Sequence, residues 1–297
     1  MQTLIINGKE IANQIKEEII FNLKKVNTNK KPQLVIFYIG YNVASELYIK
    51  YKVKFANECN VLTKVIHLKE EDITQNEIIE LIKEYNKNDE VDGIMIQLPI
   101  NMKNLDTNKI INTIHPDKDV DGLTSHNLGL TWFNNSSYLN SSTALACMQI
   151  LKTINYDFQA KNVVIIGNTI VLGKPLAGII DNKNATISIL NSHTPNLKYY
   201  TTNADLIITA TGKKNLLTKD MIKENAVLID VGTNKDENHK THGDFEVNEM
   251  LNKASVISPS PGGVGPITIS ILIKNTVKAF LKKIKENIVW EELTIKN

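Results

Sequence analysis

Unbroken apolar runs alternate with amphipathic stretches along most of this chain, and the spacing switches between the two periods that separate strand from helix. Residues 10–26 carry a helical repeat; Pro32 then opens the apolar run Gln33-Leu-Val-Ile-Phe-Tyr-Ile39, which Gly40 stops. Helical spacing returns over 44–58 through Ala44, Leu47, Tyr48, Tyr51 and Phe55, so Tyr48 and Lys52, four apart, lie on neighbouring parts of one face. A further helix at about 73–87 precedes Asp92-Gly-Ile-Met-Ile-Gln97-Leu98-Pro99. Its near-continuous apolar core predicts a strand buried on both faces of a parallel sheet. A short helix follows near 104–114.

Periodicity fails over 132–142, rich in Asn and Ser, and the crossing between domains is expected there. Beyond it a strand-helix rhythm predicts strands at 162–166, 185–190, 204–210, 226–231 and 254–258, with helices at 173–182 and from Pro266 to about Lys285. The length, 297 residues, exceeds the roughly 100–200 of one domain. The pattern therefore predicts an α/β protein of two domains. An N-terminal three-layer α/β catalytic domain over 1–138 is completed by a C-terminal helix over 272–297, and a Rossmann-like doubly wound nucleotide-binding domain occupies 139–271.

Composition narrows the function without naming it. A formal net charge of +2, with the lysines spread out, gives no electrostatic footprint for nucleic acid. The chain has no Arg, so every fixed positive charge offered to an anionic ligand comes from Lys. Cys59 and Cys147 lack metal or CxxC spacing, and the six His residues lack ligand spacing, so no metal is expected. Lys9 and Glu10 stand where a signal peptide would be apolar, and no apolar run reads as a membrane span. A reduced, cytoplasmic protein is the expectation.

Chemistry gathers at one sheet edge. In open α/β sheets ligands bind outside the carboxyl ends of the strands. Gln97 is the polar residue at the end of its strand, and the helix bearing Tyr48 and Lys52 leaves the same edge after Gly40. Asp121 lies in the charged loop His115-Pro-Asp-Lys-Asp-Val-Asp121-Gly122, a third segment directed there. In the second half, Gly167-Asn168-Thr169-Ile-Val-Leu-Gly173 joins a strand to a helix, which suits phosphates at a helix N-terminus. It departs from G-x-G-x-x-G. Strand ends at Thr211-Gly212 and Val231-Gly232 support the nucleotide reading. The acidic residue that holds a ribose 2′-hydroxyl, expected about 20 residues on, is replaced by Asn191-Ser192-His193-Thr194. Pro261-Gly262-Gly263-Val-Gly265-Pro266 makes a turn whose backbone can lie against a planar ligand, with Pro266 expected at the first position of a helix.

Six ordered segments resemble the bifunctional methylenetetrahydrofolate dehydrogenase/methenyltetrahydrofolate cyclohydrolase family. They are Ser45-x-x-Tyr48-Ile49-x-x-Lys52, Asp92 to Pro99, Lys118-Asp-Val-Asp121-Gly122, Gly167-x5-Gly173-x-Pro175, Ile229-Asp-Val-Gly232 and Pro261 to Pro266. The resemblance implies oxidation of 5,10-methylenetetrahydrofolate by hydride transfer to NADP, with NAD as the alternative, then hydrolysis of the methenyl cation to 10-formyltetrahydrofolate. By the same resemblance Lys52 assists proton transfer, Gln97 tunes it, Tyr48 packs on the folate and Asp121 orients the pterin. Ile96, Leu98, Pro261, Gly262 and Gly263 join them as folate contacts. Gly167, Asn168, Thr169, Gly173, Ser192, Gly212, Gly232, Thr233 and Thr268 are implied to hold the cofactor, and a homodimer through the nucleotide domain is implied as well.

The chain also departs from that family. Gly167-Asn168-Thr169 replaces Gly-Arg-Ser, His193 replaces a basic residue, and Ser141-Ser142-Thr143-Ala144-Leu145-Ala146 replaces Pro-Cys-Thr-Pro-x-Gly. Two alternatives stand beside the main reading: a shikimate-type dehydrogenase, and a catalytically silent folate- or nucleotide-binding relative.

Overall fold

The computed structural model describes residues 2–69, 73–134, 139–235 and 241–285. In chain order the first half contains β1 (Leu4–Ile5), α1 (Gly8–Lys24), β2 (Gln33–Gly40), α2 (Val43–Glu58), β3 (Leu62–Leu68), α3 (Gln75–Lys87), β4 (Gly93–Asn101), α4 (Thr107–Ile111) and α5 (Ser125–Trp132). The second half contains α6 (Ser142–Thr153), β5 (Asn162–Ile166), α7 (Gly173–Asp181), β6 (Thr186–Leu190), α8 (Leu197–Thr201) and β7 (Leu206–Thr209). After these come β8 (Val227–Asp230), β9 (Asn234–Lys235), β10 (Thr241–His242), α9 (Val247–Met250), β11 (Val256–Ser258) and α10 (Val264–Lys283).

Two compact units form. Of the described residues, one takes 13–69, 73–130, 139–142 and 269–285; the other takes 2–12, 131–134, 143–235 and 241–268. The first is built on a parallel sheet in the order β3-β2-β4. Leu34 to Phe37 and Ile39 are fully buried on successive residues, so both faces of β2 are covered, as an all-apolar central strand requires. Phe37 meets the Tyr85 ring edge-on at 5.6 Å, tying the sheet to α3, whose N-terminus carries a Thr74/Glu77 capping box.

The second unit is a parallel six-stranded sheet in the order β1-β11-β8-β7-β5-β6, with a separate β9/β10 ribbon. Its core includes Val164, Ile166, Ile207, Leu228, Phe245 and Ile257. From β5 the chain proceeds to β6 on one side and to β7, β8 and β11 on the other, which puts the switch point of the doubly wound sheet at the carboxyl ends of β5 and β7.

The unit limits differ from those read from the sequence. β1 is the edge strand of the nucleotide sheet, pairing Leu4 with Val256 and Ile5 with Ile257, although residues 1–12 were expected in the catalytic domain. A two-residue strand pairs with whatever edge is open, and no local periodicity announces its partner. The C-terminal helix begins at Val264, two residues before the expected Pro266; it joins the catalytic unit from Ile269, where 272 was expected, and 286–297 lie outside the described residues. Pro266 consequently occupies the third helical position, where its missing N–H is still one of the unpaired donors of a helix start. By length and composition α10 also suffices to cross a membrane, which the sequence reading did not foresee. Most of it is buried within the protein.

Candidate active site

In the catalytic unit the site is built by the way α2 leaves β2. The Tyr38 hydroxyl accepts the Asn42 N–H at 2.6 Å, and the Asn42 side chain accepts the Ser45 N–H at 2.9 Å, capping the helix. Such a cap contributes about 1 kcal/mol. The Tyr38 ring stacks on His67 at 4.3 Å, and His67 Nε2 bonds the Gly40 carbonyl oxygen at 2.9 Å. With its first turn fixed, α2 buries Ser45, Ile49, Lys52 and Ala56, a helical stripe in which Lys52 is the charged member. Tyr48 lies beside the stripe and remains 39% exposed, free to stack on a ligand.

Lys52 Nζ donates to Gln97 Oε1 at 2.8 Å, and Gln97 Nε2 donates to the Leu98 carbonyl at 2.8 Å. Gln97 faces Tyr38 in the β2/β4 register. Gln97 was expected at the end of its strand, but β4 continues four residues further to Asn101, so the Lys52–Gln97 pair lies beside the strand rather than at its tip. Ile96 is buried and Leu98 half-buried on either side of Gln97, and the Leu98–Pro99 peptide is cis. Burial holds the Lys52 ammonium below the ordinary lysine range, with the Asp121 carboxylate working against the shift. Asp121 is raised above the usual carboxylate range by burial; Lys52 lowers it, Asp119 raises it, and a hydrogen bond from the Ser142 side chain lowers it. The same Ser142 hydroxyl donates to the Val120 carbonyl at 3.3 Å.

Asp119 was not read from the sequence as part of the site. It accepts the Leu123 and Thr124 N–H groups at 3.1 and 2.8 Å and Asn127 Nδ2 at 2.9 Å, knotting the loop that presents Asp121. An Asp three residues before a Gly, with Thr124 and Ser125 following, is an available signal for such a knot.

The nucleotide unit carries the other expected residues. Gly167 has φ +127° and its α-carbon faces the Ala210 carbonyl: an added β-carbon would lie 2.8 Å from that oxygen. A β-carbon on Gly173 would lie 1.9 Å from the Gly167 carbonyl oxygen. The turn thus closes directly onto the start of α7, whose cap residue Leu172 makes no side-chain hydrogen bond. Of the first N–H groups of α7, Lys174 donates to the Thr169 carbonyl at 3.1 Å, Leu176 donates to the Leu172 carbonyl at 2.9 Å and Pro175 has none, so the close-approaching glycine backbone at Gly167 and Gly173 is the cradle that fits the pyrophosphate of a dinucleotide. Asn168 and Thr169 are exposed beside it, and Ser192 is exposed after β6. Gly212 and Thr233 are exposed at the ends of the segments that follow β7 and β8, with Gly232 buried between them. Thr268 differs: its hydroxyl donates to the Val264 carbonyl at 3.1 Å, inside α10. Pro261, Gly262 and Gly263 also belong to this unit. The Ser260–Pro261 peptide is cis, and the Gly262 carbonyl accepts the Gly8 N–H at 2.9 Å.

Comparison with known proteins finds two domains of these kinds in the chain. Residues 6–121 match the catalytic domain of tetrahydrofolate dehydrogenase/cyclohydrolase, and residues 141–284 match its NAD(P)-binding domain. A bifunctional protein FolD from Fusobacterium nucleatum is 39% identical over 93% of this chain and 98% of its own. The bifunctional FolD enzyme of Campylobacter jejuni, methylenetetrahydrofolate dehydrogenase/cyclohydrolase, superposes with a TM-score of 0.88 at 39% identity, covering 93% of this chain and 98% of that one. The Trypanosoma brucei dehydrogenase-cyclohydrolase, solved with NADP and an inhibitor, gives 0.90 at 27% identity, covering 96% and 99%. Neither alternative read from the sequence is favoured by these likenesses. With two domain models covering most of its length and a relative at this identity, the chain belongs to the tetrahydrofolate dehydrogenase/cyclohydrolase family.

Proposed function

We propose that this chain oxidises 5,10-methylenetetrahydrofolate to the 5,10-methenyl cation and hydrolyses that cation to 10-formyltetrahydrofolate, with Lys52 as the proton-transfer group of the second step. The observation that carries the reading is the buried Lys52–Gln97 hydrogen bond, which holds an amine beside β4 with a neutral partner. A bound NADP or NAD supplies the hydride acceptor for the first step; Gly167, Gly173, Gly212, Gly232 and Thr233, with Asn168, Thr169 and Ser192 toward the adenosine end, are the residues proposed to hold it. The FolD structure that contains NADP favours that cofactor.

In the hydrolysis, water adds to the methenyl carbon and loses a proton; the carbon–N5 bond then breaks, N5 keeping the electron pair and taking a proton as the carbinol oxygen gives one up. Lys52, lowered by burial, accepts the proton of the attacking water. Gln97 fixes the direction of the amine, Asp121 hydrogen-bonds the pterin, and Tyr48 packs on the folate rings, so placement rather than covalent catalysis does the work. Ile96 and Leu98 are assigned to the walls of the same pocket, and Pro261, Gly262 and Gly263 to a folate-facing turn.

Placement in the cytoplasm and a homodimer through the nucleotide unit complete the reading. β6 is an open edge of that sheet, and Phe133 in the same unit is 84% exposed. Steady-state assay with methylenetetrahydrofolate and NADP or NAD, followed by hydrolysis of authentic methenyltetrahydrofolate without cofactor, tests both steps. Turnover in neither assay overturns the proposal, and light scattering checks the dimer.

A further inference from the structure

Two carboxylates, Asp230 and Asp244, are buried together in the nucleotide unit, 1% and 0% exposed. Asp230 ends β8; Asp244 follows the ribbon strand β10. Asp244 Oδ2 accepts the Thr211 N–H at 2.8 Å and its Oδ1 accepts the Lys213 N–H at 2.9 Å, so one carboxylate grips both residues that flank Gly212. Asp230 Oδ1 accepts the Gly232 N–H at 2.9 Å, and its Oδ2 accepts the Asp244 N–H at 2.8 Å. The glycines make room for this arrangement. A β-carbon on Gly232 would lie 2.1 Å from Asp244 Oδ1, and one on Gly243 would lie 2.0 Å from Asp230 Oδ2.

We propose that Asp230 and Asp244 are positioning residues for the dinucleotide, a charge-coupled pair that sets the turns at Gly212 and Gly232 and makes cofactor affinity, but not water addition, depend on pH. The inference rests on the nucleotide reading of those turns given above. Neither carboxylate needs to touch the cofactor; each acts through the backbone it holds.

The groups around Asp230 fix the sign. Across from it stand the Asp244 carboxylate, the Thr209 hydroxyl from β7 at 3.3 Å, and backbone N–H groups of Gly232, Asp244 and Phe245. Burial first, and the Asp244 charge second, push Asp230 up to about 7. Below that pH Asp230 is neutral. Above it a charge appears on Asp230 beside Asp244, strains the grip on Thr211 and Lys213, and adds repulsion toward an anionic pyrophosphate. Affinity for the dinucleotide therefore falls as pH rises through about 7.

The test measures NADP binding by calorimetry from pH 5.5 to 8.5, with cofactor-free methenyltetrahydrofolate hydrolysis as the parallel readout, on the full chain, Asp230→Asn and Asp244→Asn. The expected result is a wild-type dissociation constant that rises about five- to tenfold across neutral pH. Asp230→Asn abolishes that rise, Asp244→Asn weakens binding at every pH, and both variants keep the wild-type pH profile of hydrolysis. An unchanged pH step in Asp230→Asn, or wild-type affinity in Asp244→Asn, overturns the proposal. If Asp244→Asn fails to fold, shown by loss of hydrolysis as well, the pH step in Asp230→Asn decides alone. A wild-type chain that hydrolyses but binds neither NADP nor NAD refutes the nucleotide reading and the proposal with it, an outcome distinct from binding without a pH step.

Discussion

Lys52 and Gln97 are each 8% exposed and joined by a 2.8 Å hydrogen bond, so a buried ammonium has an uncharged amide as its direct partner. An amide satisfies one N–H of the amine but returns far less of the desolvation cost than a carboxylate would. The site thus holds a lysine in a form that gives up its proton more readily, at a cost to folding.

Replacing Lys52 with Met separates those two consequences. Hydrolysis of methenyltetrahydrofolate is expected to fall by at least about a hundredfold, while NADP affinity stays at the wild-type value. The melting temperature should rise, because an apolar side chain of similar length removes a buried charge. A variant that still hydrolyses at the wild-type rate refutes the assigned role of Lys52.

Gln97→Glu reverses the local electrostatics. A carboxylate in place of the amide oxygen favours the charged amine, which moves Lys52 upward from its lowered position. A base works only when deprotonated, so the rising limb of the hydrolysis rate against pH should shift to higher pH by about one unit or more. At neutral pH the rate drops, and it recovers in alkaline buffer. An unshifted profile would show that Lys52 does not titrate in the rate-limiting step.

Much of this site was legible because the relevant signals are local. The strand over 162–166 was read to the residue, and β2, β4, β6 and α7 to within one or two, since buried runs bounded by Gly or Pro leave little choice. The Lys52–Gln97 hydrogen bond joins two of the residues expected at the sheet edge, although Gln97 lies within β4, four residues before its end. β3 escaped notice because it is an edge strand: Thr63, Lys64 and His67 interrupt its apolar residues, and it pairs only with β2. The short strand β1 went to the wrong unit because its partner, β11, lies about 250 residues away, a pairing no window can see. Asp230 and Asp244 were hidden for a related reason. Asp230 sits in the quoted segment Ile229 to Gly232, where the glycine drew the attention, and Asp244 follows a glycine in a stretch with no signal of its own; that each carboxylate fills the side-chain space of the other segment's glycine exists only in three dimensions.

Gly173→Ala tests the cradle. Its β-carbon would lie 1.9 Å from the Gly167 carbonyl oxygen, a backbone atom that cannot rotate away, so the turn must shift before α7 can form as it does here. Dinucleotide affinity is expected to fall by about tenfold or more, as a misplaced backbone loses N–H contacts to phosphate. Hydrolysis of methenyltetrahydrofolate, which needs no cofactor, should be retained. Equal loss of both activities would mean that the substitution damages the fold rather than the cradle.

The last prediction concerns the catalytic unit's own scaffold. Lys274 of α10 forms a 2.8 Å ion pair with Glu18 of α1, with side-chain exposures of 6% and 7%. Glu18 also faces Lys278, which burial and the Lys274 charge lower to about 8 and Glu18 raises, so Glu18→Gln withdraws a carboxylate from two buried ammonium groups. That should cost about 3–5 kcal/mol. The paired replacement Glu18→Leu with Lys274→Leu removes both desolvation penalties and should recover most of the loss, because buried ion pairs are often matched by apolar residues of similar volume. Calorimetric melting of the three chains checks this. If the double variant is as unstable as the single one, the pair contributes more than mutual compensation, and the packing of α10 against α1 depends on its polar geometry.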